Sequence, residues 1–304
     1  MRVNKPILII VGIGVLAVAG GGVLYANLGD QQLKRERDQL LVGAEELADR
    51  LENDETVVID ARPADDYDAG AIPGSVNVPV DALNQTVELD DGGEVESIVK
   101  DPDEITEPLQ AAGIDKETEV VVYDNGGETS ATRVFWVLDY YGHPNVSVLD
   151  GGSAAWTASD RELSQQEPQV AAGDFVPEPR PERHADFDYV QQSLGSDSVM
   201  LCNALSFESY ADGSIEGSVN LHATELFADG DVPYFRADDV LAQMLTDSGY
   251  QEGQEFLSFC GRGNMASINY FAGRLLGLEQ VRMYDGSLVD WRARDGETLP
   301  EGEA

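Results

Sequence analysis

The stretch Phe256-Leu257-Ser258-Phe259-Cys260-Gly261-Arg262-Gly263-Asn264-Met265-Ala266-Ser267 runs from an apolar segment to a cysteine and then through a loop with two glycines. A helix is expected from near Ala266, because Ile268, Phe271, Ala272, Leu275 and Leu276 recur at helical spacing. A buried strand feeding a helix through a tight loop is the unit of α/β domains, whose ligands gather at the carboxyl ends of the strands. A thiolate at that point would face backbone N–H groups and the positive end of the helix. Gly261 and Gly263 would let the amides curl inward, and Arg262 would add a full positive charge. The thiolate, not the thiol, is the nucleophile, and the same cradle suits an oxyanion substrate. Cys260 is therefore the candidate catalytic residue, with Gly261, Arg262, Gly263, Asn264 and Met265 as the candidate substrate-binding loop. The competing reading is an inert core thiol, for which Gly-Arg-Gly would be poor packing material.

Working outward, the chain repeats itself. Val57-Val58-Ile59-Asp60-Ala61-Arg62 through Gly74-Ser75-Val76-Asn77 matches Met200-Leu201-Cys202-Asn203-Ala204-Leu205 through Gly217-Ser218-Val219-Asn220 without a gap. Further on, Ala131 matches Ala266, Trp136 matches Phe271, Asp150-Gly151 matches Asp285-Gly286, and Trp156 matches Trp291. A repeat this long means tandem globular domains and not a solenoid. Val120-Val121-Val122-Tyr123 reads as a buried strand, 131–141 as a helix stopped by Gly142, and Val146-Ser147-Val148-Leu149 as the next strand. The fold class is α/β, with two tandem domains that are each a mainly parallel sheet flanked by helices. The expected boundaries are a membrane anchor or signal segment at 1–29, a linker at 30–42, a first domain at 43–158, a linker at 159–183 and a second domain at 184–300. The second linker holds Pro177-Glu178-Pro179-Arg180-Pro181, which favours an extended chain.

Composition limits the partners. The 304 residues carry 19 Lys+Arg against 57 Asp+Glu, a net charge of −38. A chain without a basic face cannot neutralise a phosphate backbone, so nucleic acid is excluded as the main ligand. The only lysines are Lys5, Lys34, Lys100 and Lys116. Acid at this density with lysine nearly absent suits a surface hydrated in molar salt, where self-repulsion is screened, and points to a halophile. Two cysteines, Cys202 and Cys260, are too few for a disulfide framework, and with three histidines at no ligand spacing no metal or other cofactor is expected. Ile7 through Leu28 is uncharged and almost wholly apolar, with Arg2 and Lys5 before it. That length suits a transmembrane helix of about 20 residues, and the preceding basic residues would leave the folded part outside the cell. A cleaved signal peptide, with Ala17-Val18-Ala19 as its small-residue site, is the alternative and would give a secreted protein.

The motifs together resemble the rhodanese family of sulfurtransferases in its two-domain form. The carriers are Asp60-Ala61-Arg62, Gly70-Ala71-Ile72-Pro73-Gly74-Ser75-Val76-Asn77, Val121-Val122-Tyr123-Asp124, Leu149-Asp150-Gly151-Gly152 with Trp156, and Tyr284-Asp285-Gly286-Ser287 with Trp291. The resemblance implies that Cys260 takes a sulfane sulfur from a small donor anion, thiosulfate or 3-mercaptopyruvate, becomes a persulfide, and passes the sulfur to cyanide or a thiol. Phosphatases of this fold need a longer loop with an arginine six positions after the cysteine, and position 266 is alanine. The first copy places Asp124 or Asn125 at the cysteine position, depending on whether it is aligned from the strand or the helix, so it is expected to be inactive. Asn203 and Leu205 stand where the first copy has Asp60 and Arg62, and Met265 ends the loop where the family often has a hydroxyl residue. Those departures leave open a catalytically degenerate module for partner docking or sulfur carriage. Cys202 is expected in the core, with a resolving-thiol role beside Cys260 as its alternative. His222 is expected near the loop face.

Overall fold

The computed structural model describes residues 37, 39–52, 56–89, 92–166, 168–294, 296 and 298. The apolar run 7–28, expected as an anchor or signal segment, lies outside the described residues. Among the described residues no helix is long and apolar enough to cross a membrane.

Two five-stranded sheets, each wholly parallel, form the frame. The first is built from β1 (Leu41–Val42), β2 (Thr56–Asp60), β3 (Val76–Asn77), β6 (Glu119–Tyr123) and β7 (Val146–Leu149), in the order β1-β7-β6-β2-β3. The second is built from β8 (His184–Ala185), β9 (Val199–Asn203), β10 (Val219–Asn220), β11 (Glu255–Phe259) and β12 (Val281–Tyr284), in the order β8-β12-β11-β9-β10. The two orders are the same connectivity used twice, as the internal repeat predicts. Central strands are buried on both faces, so Val120, Val121 and Val122 form a continuous apolar run and not an alternation. The edge strand β1 lies inside the stretch expected as a linker. A two-residue strand has no periodicity to read, and only its pairing to β7 reveals it. Arg37, upstream of it, pairs with Asp238 at 2.6 Å.

Among the described residues, 159–183 carry little regular secondary structure, and they are not a free spacer. The Gly173 and Phe175 N–H groups donate to the Gln110 and Ile114 carbonyls at 2.8 and 3.0 Å, and Arg180 N–H donates to Tyr140 O at 2.7 Å. Phe175 is buried. The strap is therefore bound along the first domain before it enters the second.

The helices that follow the two loops, α5 (Ser130–Tyr140) and α10 (Asn264–Leu275), pack against each other. The Thr132 and Ser267 hydroxyls meet at 2.8 Å, and Phe135 packs edge-on to Phe271 with ring centroids 4.7 Å apart. Tyr270 Oη donates to Asp139 at 2.6 Å, and Arg274 pairs with the same carboxylate. One apolar cluster runs through both domains across this seam. The matched aspartates also cross over. Asp150 accepts from Phe235 N–H of the second domain at 2.9 Å, and Asp285 accepts from Val99 N–H of the first at 2.8 Å. Val99 ends an antiparallel hairpin of β4 (Asn84–Glu88) and β5 (Glu94–Val99) that reaches toward the second domain's loop.

Candidate active site

Both loops leave the carboxyl end of a central strand, and backbone bonds settle their alignment. Ser153 and Ala154 N–H donate to Asp124 O and Asn125 O, while Leu288 and Val289 N–H donate to Cys260 O and Gly261 O. Asp124 is thus the counterpart of Cys260, and the first loop carries one more residue before the matched Ala131 and Ala266. Asp124 fills its own cradle: Oδ1 accepts from Gly126 N–H at 2.8 Å and Oδ2 from Ala131 N–H at 3.0 Å. Burial pushes its carboxyl up to about 6, against the opposing pull of those two donors. The segment around Pro233 closes this loop from the other domain, since a Cβ at Gly127 would stand 2.9 Å from the proline ring.

The second loop keeps its cradle open. Among the described residues, the N–H groups of Gly261 through Met265 make no hydrogen bond. The chain passes from interior to solvent within two residues: Cys260 is 2% exposed, Gly261 is half-buried, and the Arg262 side chain is 65% exposed. The helix starts at Asn264, two residues earlier than expected, so Asn264 and Met265 belong to its first turn. Among the described residues Asn264 Oδ1 is buried without a donor, and as an acceptor it does not favour an anion beside it. Gly263 is required, because its φ is +80° and a Cβ would stand 2.5 Å from the Asp285 carbonyl. Gly261 is not required by its backbone: a Cβ there meets nothing within 4 Å. The expected need for two glycines reduces to one.

Three groups around the loop were not found by sequence reasoning. Arg133, on α5 of the first domain, pairs with Asp285 at 2.6 Å, and both side chains are 1% exposed. Its Nη2 also donates to Ser97 O and Asn84 Oδ1 on the hairpin, at 2.7 and 3.0 Å. Glu96, beside Ser97, pairs with Arg262 at 3.0 Å, so the loop's guanidinium is already engaged. Ser287 Oγ accepts from Cys260 N–H at 3.0 Å and lies 4.0 Å from Cys260 Sγ. An arginine among apolar helix positions was the available signal for the first, nothing local marked Glu96, and Ser287 stood in the repeated Tyr284-Asp285-Gly286-Ser287 motif without a role assigned to it.

The remaining candidates are spread out. Cys202 is fully buried beside Asn269 Nδ2, burial pushes its thiol up to about 12, and both cysteines are free. A thiol in that state is a poor exchange partner, which leaves core packing as its role. Asp60 and Arg62 form a buried pair at 2.6 Å, with Arg62 also donating to Gly70 O at 2.8 Å. In the second domain Asn203 replaces that pair with a neutral contact to Ser214 Oγ at 2.8 Å, and with a bond from Leu205 N–H at 2.9 Å. The missing charge is compensated by hydrogen bonds. Trp156 and Trp291 are core residues. His222 is half-buried beside the Thr224 hydroxyl, away from any contact with Cys260 among the described residues.

The profile of the Rhodanese-like domain matches residues 43–159 and 186–294. A 3-mercaptopyruvate sulfurtransferase of Escherichia coli (strain K12) is 27% identical over 274 residues, covering 83% of this chain and 95% of the relative. A thiosulfate sulfurtransferase of Azotobacter vinelandii is 28% identical over 261 residues, covering 83% and 93%. The crystal structure of SseA from Escherichia coli, described as a 3-mercaptopyruvate sulfotransferase, superposes with a TM-score of 0.71 at 25% identity, over 82% of this chain and 98% of that one. With a profile match in both halves and the same sheet connectivity used twice, the chain belongs to the rhodanese family and carries two copies of its domain.

Proposed function

We propose that the protein is a sulfurtransferase working through a persulfide on Cys260, with Gly261, Arg262, Gly263, Asn264 and Met265 as its anion-binding loop. The observation that carries this reading is the contrast between the two loops. The same fold position holds a self-satisfied carboxylate in one domain and, in the other, a thiol at the head of a loop whose amides make no hydrogen bond among the described residues. Amide dipoles and a helix start favour a sulfur anion and an incoming oxyanion alike.

With thiosulfate, the Cys260 thiolate attacks the sulfane sulfur, the sulfur–sulfur bond of the donor breaks, and sulfite leaves with the electron pair. With 3-mercaptopyruvate the carbon–sulfur bond breaks and pyruvate leaves, its methyl group taking the proton from the donor's thiol. The outer sulfur of the resulting Cys260 persulfide then goes to cyanide, giving thiocyanate, or to a thiol, and the thiolate is restored. Each step balances without an oxidant or a cofactor. The similarity to relatives named for both donors supports either substrate. The first domain supplies no sulfur chemistry; Arg133 and the hairpin brace the loop from its side.

The folded part acts outside the cell, held by Ile7–Leu28 or released if that segment is cleaved, and it works in molar salt. The composition supports both statements. The test is a thiosulfate:cyanide and a 3-mercaptopyruvate assay on the protein in molar KCl. Thiocyanate or pyruvate formation that depends on Cys260 is expected. Turnover that survives Cys260→Ser overturns the assignment, and absence of turnover with both donors leaves the docking module as the better reading.

A further inference from the structure

Ser287 holds a backbone conformation that serine rarely adopts. Its φ is +51°, in the left-handed region that favours glycine, and the matching position of the inactive domain is Gly152, with φ +57°. In the first domain glycine is compulsory there, since a Cβ would stand 2.4 Å from Asp124 O and 2.5 Å from Gly126 N. In the second domain the shorter loop leaves room for a side chain, and that side chain is fully buried under the cysteine. Its hydroxyl accepts from Cys260 N–H at 3.0 Å, donates to Tyr284 O at 2.9 Å and lies 4.0 Å from Cys260 Sγ. A non-glycine residue in this region is held at a cost, and such cost concentrates where function needs it. The turn itself does not need a hydroxyl at 287, because the inactive copy closes it with glycine; the hydroxyl serves the cysteine's own backbone and surroundings.

We infer that Ser287 is a positioning residue for sulfur transfer: it fixes the Cys260 backbone through the N–H bond and turns its proton from Tyr284 O to the sulfur as charge develops there. A hydroxyl rotates to suit its acceptor, so the exchange needs only that rotation and a small closing of the 4.0 Å separation. Bonds to charged acceptors are the stronger ones, which makes the sulfur anion the preferred partner once it forms.

The inference rests on the sulfurtransferase reading, and its test separates the two. Two variants remove the hydroxyl but treat the backbone in opposite ways. S287G relieves the strained φ, whereas S287A keeps it. Single-turnover persulfide formation with thiosulfate, quenched and read by intact mass, is compared with the unfolding midpoint of each full-length variant. A lost hydrogen bond corresponds to about a two- to tenfold slower step, equal in the two variants and with donor KM unchanged. S287G is expected to unfold about 2–4 °C above S287A. Persulfide forming at the wild-type rate in both variants overturns the role of Ser287 while leaving the sulfurtransferase standing. A normal rate in S287G alone assigns the effect to the backbone and overturns it equally. A wild-type protein that forms no persulfide overturns the sulfurtransferase reading itself, and this inference with it.

Discussion

Removing the guanidinium of Arg133 should unfold the chain far more easily than any surface change. Arg133 and Asp285 belong to different domains, approach to 2.6 Å, and are both 1% exposed. Coulomb's law with an effective dielectric of about 20 gives roughly 6 kcal/mol of attraction at that distance, before the cost of desolvating both ions. The approach lacks hydrogen-bond alignment, since neither Arg133 Nη1 nor Asp285 Oδ1 has a bonded partner, so the pair is held by charge and not by directionality. Arg133→Leu leaves the Asp285 carboxylate buried with Val99 N–H as its remaining donor, and strips Ser97 O and Asn84 Oδ1 of theirs. It also removes a guanidinium stacked 4.6 Å above the Trp136 ring. Orphaning one member of a buried pair costs about 3–5 kcal/mol. Equilibrium unfolding by urea in molar KCl reads the loss directly. Adding Asp285→Asn to the Leu variant removes the stranded charge and should recover about half of the loss. A single variant that loses less than about 1 kcal/mol, or a double variant no better than the single, would refute the claim that the two domains are locked by this charge pair.

Two other outcomes follow from the loops. The folded-state carboxyl of Asp124 is raised to about 6 from an ordinary value of 3.8, so its favourable contribution is fully present below about pH 4 and is lost as pH rises through 6. Unfolding midpoints of wild type and Asp124→Asn should therefore diverge between pH 4 and 6, wild type falling behind; a difference that stays flat from pH 4 to 7 would contradict this. Glu96 competes with a donor anion for Arg262 across an exposed contact. Glu96→Gln should lower the KM for thiosulfate up to about fivefold at the lowest salt that keeps the protein folded. The gain should shrink in molar salt, where the Debye length is about 3 Å. An unchanged or raised KM at low salt would count against Arg262 as a donor-binding group.

What was legible in the sequence is what depends on neighbours along the chain. Val120-Val121-Val122 and the apolar face after Ala266 declared a strand and a helix, and the repeat declared that both occur twice. Cys260 stood out because a nucleophile followed by glycines and a cation is poor core material. Asp124 could not be told from Asn125, because the first loop carries one extra residue and either end can be aligned; the carbonyl bonds from Ser153 and Leu288 fix the register in space. The parts that brace the loop were hidden for a related reason. Arg133 and Asp285 are far apart in sequence and their pairing is a tertiary event. The hairpin carrying Glu96 is a polar insertion with weak alternation, and the meaning of Ser287 lies in a dihedral angle and in its contrast with Gly152.

The most direct test weighs the intact protein after incubation with thiosulfate or 3-mercaptopyruvate and removal of the donor. The account predicts a mass gain of one sulfur that maps to the peptide holding Cys260, vanishes on adding cyanide, and is absent from Cys260→Ser. A gain that persists in Cys260→Ser, or a wild-type protein that gains nothing from either donor, would contradict it.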